Sequence, residues 1–373
     1  MIYLDYSANT PADAAVLEAF LRTEQNFIGN PNSNHPAGLA ARAEMARATD
    51  HIAALLGVQP GEIIYTSGAS ESNNLAIKGL AMANRHHGRH IISTGLEHSS
   101  AAGSLTALQE QGWEIDLVSI GRDGKVDLEE LRELLRPDTV LVALCAVDSE
   151  LGTVQPIEQV AEILKDYPNC RLHIDATQAV GKTGLVWQGV DTMSIAPHKF
   201  YGLNGSGLLL KRSGVALTPQ IHGGTSTTLY RSGTPALALA VSTETALALA
   251  LEHQPERLAK VQELNARLRA ALEKYPAVRI NSPADAVPHI LNLSVQGVKG
   301  TRFQQALGEK GVCVSVKSAC SSDGTPSRAV FAVSRDRKNA LSSWRISLSH
   351  LTQEKELSEF LQIFDRLYHE FAG

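Results

Sequence analysis

Residues 194–207 read SIAPHKFYGLNGSG, and the rest of the chain is organised around them. An apolar run suited to a short buried strand, 191–196, stops at Pro197, presents His198 and Lys199, and passes into a loop with glycines at 202, 205 and 207. A lysine placed against apolar surface has its charged form disfavoured by desolvation, which turns the amine into a nucleophile towards an aldehyde. A lysine in an ordinary surface turn fits His198-Lys199 taken alone, so the neighbouring stretches decide.

Thr66-Ser67-Gly68-Ala69-Ser70-Glu71 follows an expected strand and opens a helix. Exposed amides at a helix N-terminus, the dipole and the hydroxyls make an anion site suited to phosphate; an ordinary helix capped by Ser70 is the structural alternative. Ile174-Asp175-Ala176-Thr177-Gln178 ends an apolar strand in a carboxylate. A buried carboxylate needs a partner, either a protonated ring nitrogen or a structural cap or ion pair. Glu97-His98, after the strand at 90–94, brings an imidazole to the same sheet edge, where a lone histidine is more often structural. Jointly, a phosphate cradle, a buried acid, a ring-stacking histidine and a lysine at the ends of different parallel strands meet the needs of pyridoxal 5'-phosphate.

Working outward, short apolar strands at 62–66, 90–94, 115–120, 139–147, 171–176, 191–196 and 207–212 alternate with helices at 71–86, 99–111, 127–135 and 157–166. That alternation predicts an α/β fold with a mostly parallel seven-stranded sheet flanked by helices, its ligand beyond the carboxyl ends of the strands. Upstream, helices at 14–24 and 38–56 flank FIGNPNSNHP at 27–36, a loop too polar and too long for a minimal connection. After Gly233, Ala/Leu-rich helices at 235–252 and 255–275 lead to strands at 278–281, 290–295, 312–316 and 344–348 and helices at 301–310 and 354–370, a smaller α+β unit. The expected division is a large domain at 12–255 and a small α+β domain formed by 1–11 and 256–373.

Composition narrows the function classes. The 373 residues carry a net charge of -5 and a pI near 6.2, with no basic field for nucleic acid. No apolar run approaches the roughly 20 residues that span a bilayer, and MIYLDYSANTPAD does not read as a leader, so a cytoplasmic protein is expected. Four cysteines lack CxxC or His-rich spacing, so neither a metal site nor a disulfide framework is expected. Cys145 and Cys313 read as small core residues and Cys170 as a loop thiol. Cys320 sits among small, polar, turn-forming residues that suit an exposed nucleophile, with Lys317 and Arg328 placed to lower its pKa. A nucleotide-binding α/β protein is disfavoured, because no strand is followed by GxGxxG or GxxxxGK[ST].

The ordered motifs run nearly the length of the chain: YLDYSANTP at 3–11, GNPNSNHPAG at 29–38, YTSGASESNNLAIKG at 65–79, EH at 97–98, HIDATQAVGK at 173–182, HK at 198–199, IHGG at 221–224, RSGT at 231–234, SACSS at 318–322 and WRISLS at 344–349. Together they resemble the cysteine desulfurases of the NifS/IscS-like group, within the class V aminotransferase family of fold-type I pyridoxal-phosphate enzymes. The resemblance implies a Schiff base on Lys199, with His98 stacked on the ring and assisting proton transfer. It also implies Asp175 on the pyridinium, Gln178 on the ring hydroxyl, and Ala69, Ser70 and His198 on the phosphate. Thr234 would reach that phosphate from the other subunit of a homodimer. Arg345 would bind the substrate carboxylate, a task suited to a bidentate guanidinium. Asn32 and His35 match the family's active-site loop, Asn32 as a substrate contact. Cys320 would take the sulfur of L-cysteine as a persulfide, leaving alanine, for a protein acceptor such as an iron-sulfur scaffold or a thiolation enzyme.

Two positions depart from the family pattern. Asp148-Ser149-Glu150 stands where Asn-Asn-Glu is common, so Ser149 replaces the asparagine that faces cofactor and substrate, and a hydroxyl lacks an amide's reach. Ala196 replaces a serine that donates to phosphate, a loss on the order of 1 kcal/mol of cofactor binding. These departures motivate one rival expectation, a catalytically weakened partner-binding homologue; a selenocysteine lyase or other class V lyase is a second rival that would share the fold, against which the SACSS sequence favours desulfuration.

Overall fold

The computed structural model describes residues 1–317 and 325–372. Cys320 and the rest of SACSS lie outside the described residues.

Seven strands form one sheet in the spatial order Ile63–Thr66, Gly207–Lys211, Thr192–Ile195, Arg171–Asp175, Thr139–Cys145, His90–Thr94 and Glu114–Val118. Gly207–Lys211 is antiparallel to both neighbours, and every other pairing is parallel, in keeping with the predicted mostly parallel sheet. Strands in such a sheet are covered on both faces and read as continuous apolar runs. Thr139–Cys145 shows how: Val142 and Leu144 join the core on one face, Leu141 and Ala143 the core on the other, following the period-2 alternation of a strand. Ala69–Asn84, Ser99–Gln109, Leu128–Leu134 and Ile157–Leu164 are the helices between these strands, close to the predicted bounds.

A separate core gathers Ile2, Leu4, Leu264, Leu268, Phe303, Trp344, Phe360 and Phe364 around the antiparallel sheet Ser343–Ser347, Ile290–Val295 and Val278–Ile280. Phe303 stacks on Trp344 with ring centroids 5.4 Å apart. The first strand, Ile2–Tyr3, pairs in parallel with Val312–Cys313, so the two ends of the chain share this unit. Three details differ from the sequence expectation. Val287, Ile290, Ala329, Val330 and Ala340 lie beyond residue 255 yet pack into the core of the large sheet, not the small one. The strand expected at 312–316 forms only at Val312–Cys313, with Ser315 bridging separately to Arg345. Arg328–Ser334 and Arg337–Ser342, too short to show helical periodicity, are helices.

No helix among the described residues is long and apolar enough to cross a membrane.

Candidate active site

Because six strands of the sheet share a direction, the loops after Ile63–Thr66, His90–Thr94, Arg171–Asp175 and Thr192–Ile195 meet at one edge. There they line a cavity of about 410 Å³ with Ala69, Ser70, His98, Ser149, Asp175, Gln178, His198, Lys199 and Arg345. That size suits a small cofactor with its substrate. The sequence singled out all nine.

The cradle is built on close backbone approach. Gly68 caps the helix Ala69–Asn84 with φ +150°, and a Cβ on Gly207 would lie 2.6 Å from the Gly68 backbone. Glycine is required where two chains come this near. The helix therefore starts at Ala69, with no side-chain cap, and Ser70 is its second residue rather than its cap. Ser67 N–H donates to Glu71 at 2.8 Å, and Glu71 is in turn paired with Arg231 at 2.8 Å.

Asp175 is buried at the end of its strand. Its Oδ1 accepts Thr177 N–H at 3.0 Å and its Oδ2 accepts Asn73 Nδ2 at 2.7 Å. Asn73 also donates to Ser100 Oγ at 2.9 Å, and Ser100 Oγ lies 2.9 Å from His98 Nδ1. A hydrogen-bonded path thus joins the carboxylate to the imidazole. Burial lowers the pKa of His98, Asp175 raises it and Lys199 lowers it, with a downward net result. His173 backs the network, contacting Asn73 Oδ1 at 3.1 Å, and burial keeps it neutral.

Pro197–Lys199 forms one 3-10 turn, and Tyr201 follows in the left-handed region at φ +68°. Such a conformation in a bulky residue costs about 1–3 kcal/mol and persists only where neighbours hold it. Thr10 Oγ1 accepts Tyr201 N–H at 2.7 Å, and Tyr201 Oη lies 2.5 Å from Ser349 Oγ. Lys199 is half-buried, and its Nζ donates to the carbonyls of Ser7 at 2.8 Å and Ala8 at 2.7 Å. Gln178 Nε2 shares the Ser7 carbonyl at 2.9 Å, while its Oε1 accepts buried Lys182 Nζ at 2.5 Å. Burial, with Lys199 and Arg345 nearby, brings Lys182 down to about 7, and burial beside Lys199 and Lys182 brings His198 down to about 4. His198 is therefore neutral at pH 7.

Arg345 is 1% exposed at the opposite wall, its Nη2 on Asp5 Oδ1 at 2.9 Å and its Nη1 on the Ser149 carbonyl at 2.6 Å. That second contact uses the main chain, so the Ser149 departure does not disturb it. Asp148, beside it, is fully buried; burial and Glu150 raise it to about 7. Glu97, half-buried under the same edge, is raised to about 8, chiefly by desolvation.

The structure also places expected residues elsewhere. Asn32 is not among the residues lining this cavity but hydrogen-bonds Ser226 at 3.0 Å, and His35 caps the helix Pro36–Leu56 through Nδ1, 3.2 Å from Gly38 N. Thr234 is exposed and is likewise not among the lining residues. Ala196 is wholly buried and does not line the cavity either. Cys145, read as a core residue, is buried but forms part of the cavity wall, and burial holds its thiol well above the usual range. Cys170, read as a loop thiol, is buried and pushed up to about 12.

Three contributors went unassigned from sequence. The carbonyls of Ser7 and Ala8 sit in a motif whose polar turn gave no hint of what it would touch. Asn73 lies on the buried face of its helix together with Ser72 and Asn84, so its residue type did not set it apart. Asp5 precedes the same turn.

The lining residues fit a phosphorylated pyridine aldehyde. Thr177 Oγ1, at the cavity wall, is buried without a hydrogen-bond partner, and Gly68, Ala69 and Ser70 at the helix start line the same cavity. Polar atoms interred in this way are rare unless a ligand or water satisfies them. Among the described residues, no group of three or more His, Cys, Asp or Glu side chains is arranged for a metal ion.

Known proteins share this architecture. A NifS/IcsS protein homolog of Lactobacillus delbrueckii subsp. bulgaricus is 36% identical over 380 residues, covering 100% of this chain and 98% of the relative. Cysteine desulfurase IscS of Dictyoglomus turgidum is 35% identical over 371 residues, covering 98% of this chain and 94% of the relative. The solved structure of a NifS-like protein superposes with a TM-score of 0.92 at 33% identity, covering 99% of both chains. The model of the aminotransferase class-V family matches residues 2–360, the span that carries the lysine turn, the cradle and the arginine, and the chain belongs to that family.

Proposed function

We propose that this chain is a pyridoxal 5'-phosphate-dependent cysteine desulfurase, converting L-cysteine to L-alanine and leaving the sulfur as a persulfide on Cys320. The observation that carries it is the convergence of Lys199, Asp175, His98 and Arg345 on one cavity. Relatives named cysteine desulfurases and the SACSS sequence at 318–322 supply the substrate.

Ala69, Ser70 and His198 would hold the phosphate, neutral His198 as a hydrogen-bond donor. Asp175, fixed by Asn73 and Thr177, would pair with the pyridine nitrogen, and Gln178 would take the ring hydroxyl. When bound, the cofactor supplies an electron sink for the Cα carbanion. Arg345 takes the substrate carboxylate. Ser100 N–H can only donate, and it lies 3.2 Å from His98 Nδ1, so the neutral ring carries its proton on Nε2. His98 thus presents Nε2–H as a hydrogen-bond donor in its resting state, and the Lys199 amine, held by the Ser7 and Ala8 carbonyls when not covalently engaged, takes the Cα proton. The Cys320 thiolate then attacks the substrate sulfur: an S–S bond forms, the C–S bond breaks, and the carbon skeleton leaves as alanine after protonation. A protein acceptor, an iron-sulfur scaffold or a thiolation enzyme, takes the sulfur onward.

Leu17 and Leu21, one turn apart on helix Ala14–Asn26, together with Ile28 and Leu229, are exposed apolar side chains that support a homodimer; Ile28 is 94% exposed. The second subunit would bring Thr234 to the phosphate.

The test is Cys320→Ala. Sulfide release from L-cysteine is expected to vanish while the visible absorbance of bound cofactor stays, and turnover at the wild-type rate would reject the assignment.

A further inference from the structure

Arg345 is set by a residue near the other end of the chain. Asp5 Oδ1 accepts its Nη2 at 2.9 Å, and Asp5 Oδ2 accepts Ser315 Oγ at 2.7 Å. Ser315 pairs through its backbone with Arg345, and Asp5 bridges to Ser347 two residues further along that strand. Asp5 therefore sits at a node between the arginine and the segment that leads towards Cys320. The opposite guanidinium nitrogen, Nη1, is tied to the Ser149 carbonyl at 2.6 Å.

A guanidinium offers five N–H donors in one plane. Two contacts from two sides fix that plane, and the remaining donors are left for a carboxylate, Nε among them, which is buried and has no partner. A guanidinium at the end of a long side chain has many rotamers to lose on being fixed. Holding it in the unliganded protein removes that cost from the binding step.

We propose that Asp5 is a positioning residue for Arg345, pre-setting the guanidinium plane so that it reads the α-carboxylate of the amino-acid substrate. This rests on the assignment of Arg345 to that carboxylate. Asp5 is not among the residues lining the cavity, so it acts through the arginine rather than on substrate.

The test is a double-mutant cycle on the holoenzyme with L-cysteine, reading KM and kcat separately. Asp5→Ala is expected to raise KM about tenfold with kcat largely kept, the scale of one charge-assisted hydrogen bond. Asp5→Asn, whose amide oxygen still accepts from Nη2, restores KM to within about threefold of wild type. Adding Asp5→Ala to Arg345→Ala raises KM no further. Should the alanine variant not fold, judged by its thermal unfolding midpoint, Asp5→Ser takes its place with the same expectation.

An unchanged KM in Asp5→Ala, a failure of Asp5→Asn to restore it, or full additivity with Arg345→Ala each overturns the proposal. If Arg345→Ala itself leaves KM unchanged, the carboxylate assignment falls and the proposal with it; if only the Asp5 variants are silent, that assignment stands.

Discussion

At one end of the cavity Ala69, Ser70 and Lys199 lie in the helix start and the turn that follow strands of the large sheet, and Asp175 ends one. At the other, Arg345 on the small sheet is held by Asp5 and by Ser149 O, across 340 and 196 residues of chain. The first end is made by local grammar, strand then turn then helix, repeated until several turns share an edge. The second exists only once the N-terminal segment has crossed from the small unit and laid its carbonyls and carboxylate against residues of both. On the proposed assignments, covalent and phosphate chemistry would rest on the floor of the large sheet, and recognition of the amino acid on a joint between two cores.

The contrast is sharpest at Lys199. Lys199→Ala is expected to reduce cysteine turnover by about 10³-fold or more, because no other lining amine can take both the nucleophile and base roles. Single-turnover alanine formation checks it, and activity near wild type would mean the floor is not the reactive end.

Asn73 tests whether the floor depends on its hidden support. Asn73→Ala leaves Asp175 Oδ2 and His173 Nε2 each without its hydrogen-bond partner, while His173 Nδ1 keeps Thr192 Oγ1, and is expected to cost about 1–3 kcal/mol of stability. It also cuts the path from Asp175 to His98, so the pH profile of kcat should shift while KM holds. Denaturant unfolding and a pH-rate series measure the two effects, and an unchanged profile would detach His98 from the carboxylate.

Glu97 gives a pH signature under the same floor. Its folded pKa, about 8, lies above the 4.5 of a glutamate in the unfolded chain, so the stability it contributes is fully present below pH 4.5 and is lost as pH rises through about 8. Glu97→Gln should remove that loss: the unfolding midpoint of the variant gains on wild type as pH rises from about 5 to about 8. Parallel midpoints across that range would place the ionisation elsewhere.

The smallest effect is expected at the arginine end. Ser149→Asn restores the family's usual residue, yet the contact with Arg345 is through the main chain, so KM for L-cysteine should move by less than about threefold. A larger gain would mean that the side chain, not the carbonyl, sets substrate binding.

How much was legible follows the same line. The sheet, its order of strands along the chain and the four loops at its edge were readable, because each strand is a short apolar run and each loop announces itself with glycine, proline or a capping group. Cys320 was recognised from its neighbours, and it lies outside the described residues. Asn32 illustrates the opposite case: the loop at 27–36 was recognised as irregular, but nothing in its letters says that Asn32 would bond Ser226. Arg328–Ser334 and Arg337–Ser342 were passed over because six or seven residues are too few to establish a helical period.

The amino-acid sequence by itself determined a doubly covered α/β sheet with a lysine, an acid and a phosphate-suited turn at its carboxyl edge, since burial on two faces and strand direction are both written in local pattern. Only the tertiary structure decided what holds those groups: the Ser7 and Ala8 carbonyls on Lys199, Asn73 between Asp175 and His98, and Asp5 on Arg345. Hydrogen bonds between residues a hundred or more positions apart leave no periodicity in the chain, because they depend on where separate elements come to rest, not on the spacing within any one of them.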